Sequence, residues 1–219
     1  MSEAHNPAAE LIETEFPEVY RPLVPSALKR AYASADQAYE RLDFLNTPSG
    51  RFHRGDLIVL ATELEFERLI KERHLPFEAC WDDYASPTGK HLVMRSPGAQ
   101  ITINQVEYPH QKPRLAVFRK LFSVPNTEYL FEEWNEERKK DDSKKHLVLL
   151  HGHAHLRFAN IAFPHPTENK LIWWTDDLLK LPHEVAQDNT KAKGEGPIAS
   201  PEPELVEEVI KTVRDTEGR

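Results

Sequence analysis

The stretch His91-Leu-Val-Met-Arg-Ser-Pro-Gly-Ala-Gln-Ile-Thr-Ile-Asn-Gln-Val106 decides how this chain folds. His91–Arg95 and Gln100–Val106 are β-like, and Ser96-Pro-Gly98 between them is a turn signal, so a hairpin is expected. Upstream of it the period is helical. Leu28, Ala31, Tyr32, Ala35, Ala38, Tyr39 and Leu42 recur three and four apart, which marks one apolar helix face. Ser26 is placed to cap this helix and Asn46-Thr-Pro-Ser-Gly50 to stop it. A second helix is expected from Asp56 to about Arg73, with Leu57, Leu60, Ala61 and Leu64 as its stripe and Val59, Phe66 and Ile70 beside them.

Downstream of the hairpin, Arg114–Phe122 fits either a short helix or a strand edge. Thr127 is placed to cap a third helix reaching about Lys139, with Leu130, Phe131 and Trp134 inward. Leu147–His151, His155–Phe163 and Leu171–Trp174 are β-like, and Thr175-Asp-Asp opens a short helical turn that Pro182 closes. Helices first and strands later, without strict alternation, predict an α+β fold. N-terminal helices should pack on a mostly antiparallel sheet, because the connections are short. The expected organisation is an extended arm over 1–25, one domain over 26–182, and a flexible acidic tail over 183–219 with a short helix near 204–214.

The 219 residues are 39% apolar, enough for one substantial core. The single cysteine, Cys80, excludes an intrachain disulfide, and its neighbours Phe77 and Trp81 suggest a buried thiol. The N-terminus has neither a cationic nor an apolar run, and no apolar stretch is long enough to span a bilayer. A soluble, cytoplasmic protein without a membrane partner is expected.

Net charge is −8, which argues against an obligatory duplex-wrapping protein. Charge is unevenly spread, however. Residues 86–125 hold 6 basic and 1 acidic side chains, whereas residues 1–85 hold 9 basic and 16 acidic ones. Lys112, Arg114, Arg119 and Lys120 lie in an acid-free run interleaved with Phe118 and Phe122. Such a run suits phosphate contacts and base stacking, or the docking of an acidic protein.

A second candidate is Leu147-Val-Leu-Leu-His-Gly-His-Ala-His-Leu-Arg-Phe158. Alternate strand residues share a face, so His151, His153 and His155 are candidate ligands for zinc or manganese. Residues four apart on a strand lie about 13 Å apart, so two histidines suit one ion and three overstretch it. His110, His165, Glu107, Asp176 and Asp177 are the candidates to complete such a shell. Gly152-His-Ala-His-Leu156 resembles the metal-binding strand of amidohydrolases and is similar to the histidine motif of metallo-β-lactamase-like hydrolases. The aspartate and histidine that would close the second motif are absent, and neither resemblance supplies a fold. The structural alternative makes Gly152-His153 the centre of a type II′ turn, pairing Leu147–His151 with Ala154–Phe158.

Fainter signals are the Arg68 and His74 spacing of some helical ribonucleases, the carboxylate pairs Asp82-Asp83 and Asp176-Asp177, and the stiff, exposed elbow Pro164-His-Pro166. Trp173 and Trp174 must face opposite sides of their strand. No phosphate-binding loop, dinucleotide fingerprint, nucleophile elbow or Cys-x-x-Cys occurs. The sequence therefore favours a binding or regulatory protein that contacts an acidic protein or nucleic acid through the basic run. The alternative is a metal-dependent hydrolase or nuclease using the three histidines.

Overall fold

Asn6 opens the first ordered element: its side chain accepts the Ala9 N–H, and Pro7 occupies the first helical position, where no donor is needed. The computed structural model describes residues 6–84, 89–130 and 144–183. The chain divides into a unit of residues 1–185 and another of 186–219; all described residues belong to the first.

Helix α1 spans Pro7–Glu15 and buries Ala8, Leu11 and Ile12. The expected extended arm is thus corrected: its prolines start and separate helical pieces, and Phe16 is completely buried against Phe77, ring centroids 5.0 Å apart. Helix α2, Leu23–Arg41, buries Val24, Ala27, Leu28, Ala31, Tyr32 and Ala35 on the predicted face. It begins before Ser26, because Pro25 fits the first turn and does not interrupt it.

Helix α3, Arg54–Lys71, is rotated from the expected stripe. Leu60 and Leu64 are more than 60% exposed, whereas Ile58, Thr62, Glu63, Glu65 and Phe66 face inward. Glu65 is held there by Arg30 Nε at 2.6 Å and Arg68 at 2.9 Å, and Glu63 by the Leu92 N–H at 3.0 Å. Partnered carboxylates can be buried where bare ones cannot.

Six strands follow: β1 Glu78–Asp83, β2 Lys90–Arg95, β3 Ala99–Val106, β4 Lys145–Gly152, β5 Ala159–Pro164 and β6 Leu171–Trp174. They lie side by side in sequence order, all pairs antiparallel except β3 with β4. That parallel pair needs a long crossover, which residues 107–144 supply together with helix α4, Val117–Ser123. The α+β architecture and the mostly antiparallel sheet are as expected, and the ambiguous segment is helical. The β2–β3 hairpin turns through Ser96, whose N–H donates to the Ala99 carbonyl at 2.9 Å.

The side chains of Leu92, Met94, Ile101, Leu147, Leu149, Ile161 and Phe163 form the main core with α1, α2 and α3. Trp173 packs on this side and Trp174 on the other, as strand geometry requires. The expected helix to Lys139 gives way to a 3-10 stretch over Val124–Leu130, beyond which residues 131–143 lie outside the described residues. Residues 184–219, and with them the helix expected near 204–214, also lie outside the described residues. Asp177 caps the short helical turn Leu178–Lys180 by accepting the Leu179 N–H. Among the described residues no helix is long and apolar enough to cross a membrane.

Candidate anion-binding site beneath the fourth helix

Strand alternation places Thr102 and Asn104 of β3 and His146 of β4 on the face away from the main core. Helix α4 lies on that face and lowers Phe118, Arg119, Phe122 and Ser123 onto it. A run of hydrogen bonds ties them together. Arg119 Nε donates to Asn104 Oδ1 at 2.7 Å, and Asn104 Nδ2 donates to Thr102 Oγ1 at 3.0 Å. Thr102 Oγ1 then meets His146 Nε2 at 3.0 Å, and His146 Nδ1 meets Ser123 Oγ at 2.9 Å. A neutral imidazole satisfies both contacts by accepting from Thr102 and donating to Ser123. In this direction the Ser123 hydroxyl keeps its own hydrogen for the cavity it lines.

His146 is 1% exposed. Burial, reinforced by the charges of Arg119 and Lys112, lowers its pKa to about 3, so it is neutral at pH 7. Asn126 fixes the backbone around it, accepting the His146 N–H at 2.8 Å and donating to the His146 and Pro164 carbonyls at 3.0 Å.

A cavity of about 300 Å³ opens beside this network, and all four residues of the basic run line it: Lys112, Arg114, Arg119 and Lys120. Leu115, Val148, Pro113, Pro164 and Pro166 form its apolar walls, and Ser123 and His146 its polar floor. Lys112 Nζ donates to the His165 and Glu168 carbonyls at 2.6 and 2.8 Å, and Arg119 also donates to the Arg114 carbonyl at 2.8 Å. Burial lowers the pKa of both cations. Arg114 and Lys120 are exposed. None of the four pairs with a carboxylate among the described residues, unlike Arg21, Arg30, Arg54 and Arg95 elsewhere in the chain. The Pro164-His-Pro166 elbow, expected to be exposed, is buried: His165 Nδ1 accepts the Glu168 N–H at 2.9 Å, and Lys112 holds its carbonyl.

The three candidate ligand histidines go separate ways. His151 is buried toward α2, where its Nδ1 lies 2.8 Å from the Tyr32 hydroxyl, which donates to the Gly152 carbonyl. Its burial lowers its pKa to about 3. His153 is exposed and donates from Nδ1 to Gln105 Oε1 at 3.2 Å, and His155 is exposed in the loop beyond. Of the residues nominated to complete a shell, the His110 ring lies against Trp174, centroids 4.3 Å apart and planes tilted by 32°, and Asp177 accepts the Ala159 N–H. Among the described residues no three His, Cys, Asp or Glu side chains are grouped to hold a metal ion.

The type II′ turn is also corrected. β4 pairs with β5, His151 opposite Ala159, and the chain reverses through residues 153–158. Gly152 is needed for close approach: a Cβ there would stand 2.2 Å from the His155 carbonyl oxygen. Ala154 takes the left-handed conformation, φ 60°.

The remaining signals are structural. Arg68 pairs with Glu65 and His74 with Glu72. Asp82 pairs with Arg95, and Asp83 with Lys90. Cys80 is half-buried, and burial pushes its thiol pKa up. The sequence reading missed Thr102, Asn104, Ser123 and His146. Its usable signal was the polar pair two apart on β3, which a strand buried on both faces must cover with partners. Comparison of the chain with family models, with curated proteins and with solved structures finds no match.

Proposed function

We propose that this protein is a binding or regulatory protein that takes an acidic group of a partner, a protein or a nucleic acid, into the cavity beneath α4. The observation that carries this reading is the convergence of Lys112, Arg114, Arg119 and Lys120 on one cavity with no carboxylate paired to any of them among the described residues. Four uncompensated cations raise the local potential even in a chain of net charge −8. Lys112 and Arg119 are already oriented by backbone carbonyls and Asn104, so binding would cost them little side-chain entropy. Arg114 and Lys120 are exposed at the rim and are the groups to reach out.

A fluorescence-anisotropy titration with a labelled single-stranded oligonucleotide and with a labelled Glu-rich peptide, over a salt series, tests the reading. At least one probe should bind. The double variant Arg114→Glu, Lys120→Glu should weaken that binding about tenfold or more and flatten the slope of log K against log salt by roughly one to two. Affinity and slope unchanged by the double reversal would refute it.

A further inference from the structure

Strands β2 and β3 pair only at Val93↔Thr102, Met94↔Ile101 and Arg95↔Gln100. Towards Lys90 on one strand and Val106 on the other, they part. The Leu92 N–H, left without a strand partner on that side, donates to Glu63 Oε1 of α3. A cavity of about 380 Å³ occupies the opening. Glu63 lines it from the α3 side, Tyr84, His91 and Phe118 form an aromatic wall, and Arg114 and Arg119 line both this cavity and the one beneath α4. The two cavities therefore meet at a shared pair of guanidinium groups.

We propose that the gap between β2 and β3 receives the base of a nucleoside monophosphate whose phosphate rests on Arg114 and Arg119. This rests on the reading that those cations bind an anion, and it names the class of molecule that carries it. The volume falls within the range of small-ligand sites. In the aromatic wall Tyr84 stacks on His91 at 4.9 Å, and Phe118 leans on His91 at 4.0 Å with its plane tilted by 36°, which offers apolar contact.

The second carboxyl oxygen of Glu63, on the α3 side, and the Tyr84 hydroxyl, on the wall itself, make no hydrogen bond among the described residues. Burial raises the Glu63 pKa, against the Leu92 N–H that lowers it, and burial lowers that of His91. His91 is 5% exposed, and neither ring nitrogen has a partner of hydrogen-bond geometry among the described residues. A buried polar group without a partner is costly. A sugar phosphate or an acidic side chain would satisfy the arginines and leave the aromatic wall, Glu63 and His91 unused. A base, flat and with alternating donors and acceptors along its edge, uses the wall, the second Glu63 oxygen and the Tyr84 hydroxyl.

Isothermal titration of the full chain with the four ribonucleoside monophosphates and with ribose 5-phosphate tests this. At least one nucleotide should bind about tenfold or more tighter than ribose 5-phosphate. Glu63→Gln should change the order of preference among bases and leave ribose 5-phosphate untouched, while Arg114→Glu weakens every phosphate. Ribose 5-phosphate binding as well as every nucleotide would overturn the base site and leave the anion site standing. Failure of all five probes, with the acidic peptide still bound, would also overturn it. Failure of the phosphates, oligonucleotide and acidic peptide together would remove both readings. The comparison of ligands on the unaltered protein does not depend on any variant folding.

Discussion

Towards α1, α2 and α3 the sheet turns Leu92, Met94, Ile101, Leu147, Leu149, Ile161 and Phe163, and towards α4 it turns His91, Thr102, Asn104 and His146. Both sets are almost wholly buried. The first set is held by area alone, which is non-directional and tolerant of small shifts. In the second, Thr102, Asn104 and His146 are held by directional hydrogen bonds, and every lost partner leaves a buried polar atom, while His91 is held by ring contacts. Both cavities that the basic residues line lie against it, so the polar face is where function should be sought.

The largest test of the contrast is on the apolar side. Phe16→Ala removes a fully buried ring that joins α1 to Phe77, and should cost about 3–5 kcal/mol in urea unfolding. Under conditions where the variant stays folded, anion binding should be unchanged. A loss below about 1 kcal/mol would mean that α1 is not part of the main core.

Acid probes both faces through buried histidines, His91 and His146 on the polar face and His151 on the other. His146 on the polar face and His151 on the helix side have pKa values lowered to about 3 by burial. An unfolded histidine takes up its proton near 6.5, so the unfolded state binds more protons from there down to about 3. Stability contributed by each neutral imidazole is thus present above pH 6.5 and lost as pH falls. Each should cost up to about 1.4 kcal/mol per pH unit, so roughly 2 kcal/mol each between pH 6.5 and 5. His146→Gln should remove its own share of that slope in urea midpoints measured at pH 7, 6 and 5, leaving the shares of His151 and of His91 and His165, whose pKa values burial also lowers. A slope that the substitution leaves intact would show that His146 titrates normally in the folded protein.

The sequence carried the architecture further than it carried the site, and the reason is physical. Periodicity is a local signal, and it located α2, the β2–β3 hairpin, β4 and β6 from side-chain spacing alone. It located α3 but not its buried face, where burial of Glu63 and Glu65 depends on Leu92 and Arg30, partners far off in the chain that no window contains. The basic run was visible as composition, but its closure around a cavity depends on the parallel β3–β4 pairing, which brings residues 112–120 over His146. The histidine run misled because alternation promised one face for three imidazoles. The strand ends at Gly152, and His153 and His155 leave it for the loop.

A smaller effect separates the hydrogen-bonded network from its cations. Ser123→Ala removes the hydroxyl at His146 Nδ1 and should cost about 1–2 kcal/mol, because the imidazole loses a buried partner. Ser123→Thr, which keeps the hydroxyl, should cost less if the extra methyl fits the cavity. Equal losses in the two variants would indicate that packing, not the hydrogen bond, is what Ser123 supplies.

The smallest expected change in stability carries the most functional information. Arg114 and Lys120 are exposed and have no carboxylate partner among the described residues, so replacing either with Ala should shift unfolding by no more than about 0.5 kcal/mol. Arg119→Ala should cost more, since it strips Asn104 Oδ1 and the Arg114 carbonyl of their donor. If Arg114 and Lys120 are there for a ligand, their removal should even raise stability slightly, by relieving repulsion among four cations around 300 Å³. A clear destabilisation by Lys120→Ala or Arg114→Ala, seen in urea unfolding at low salt and abolished by high salt, would instead show that the folded chain itself supplies their counter-charge. The contrast between a face built for packing and a face built for a partner would then have to be given up at its most exposed residues.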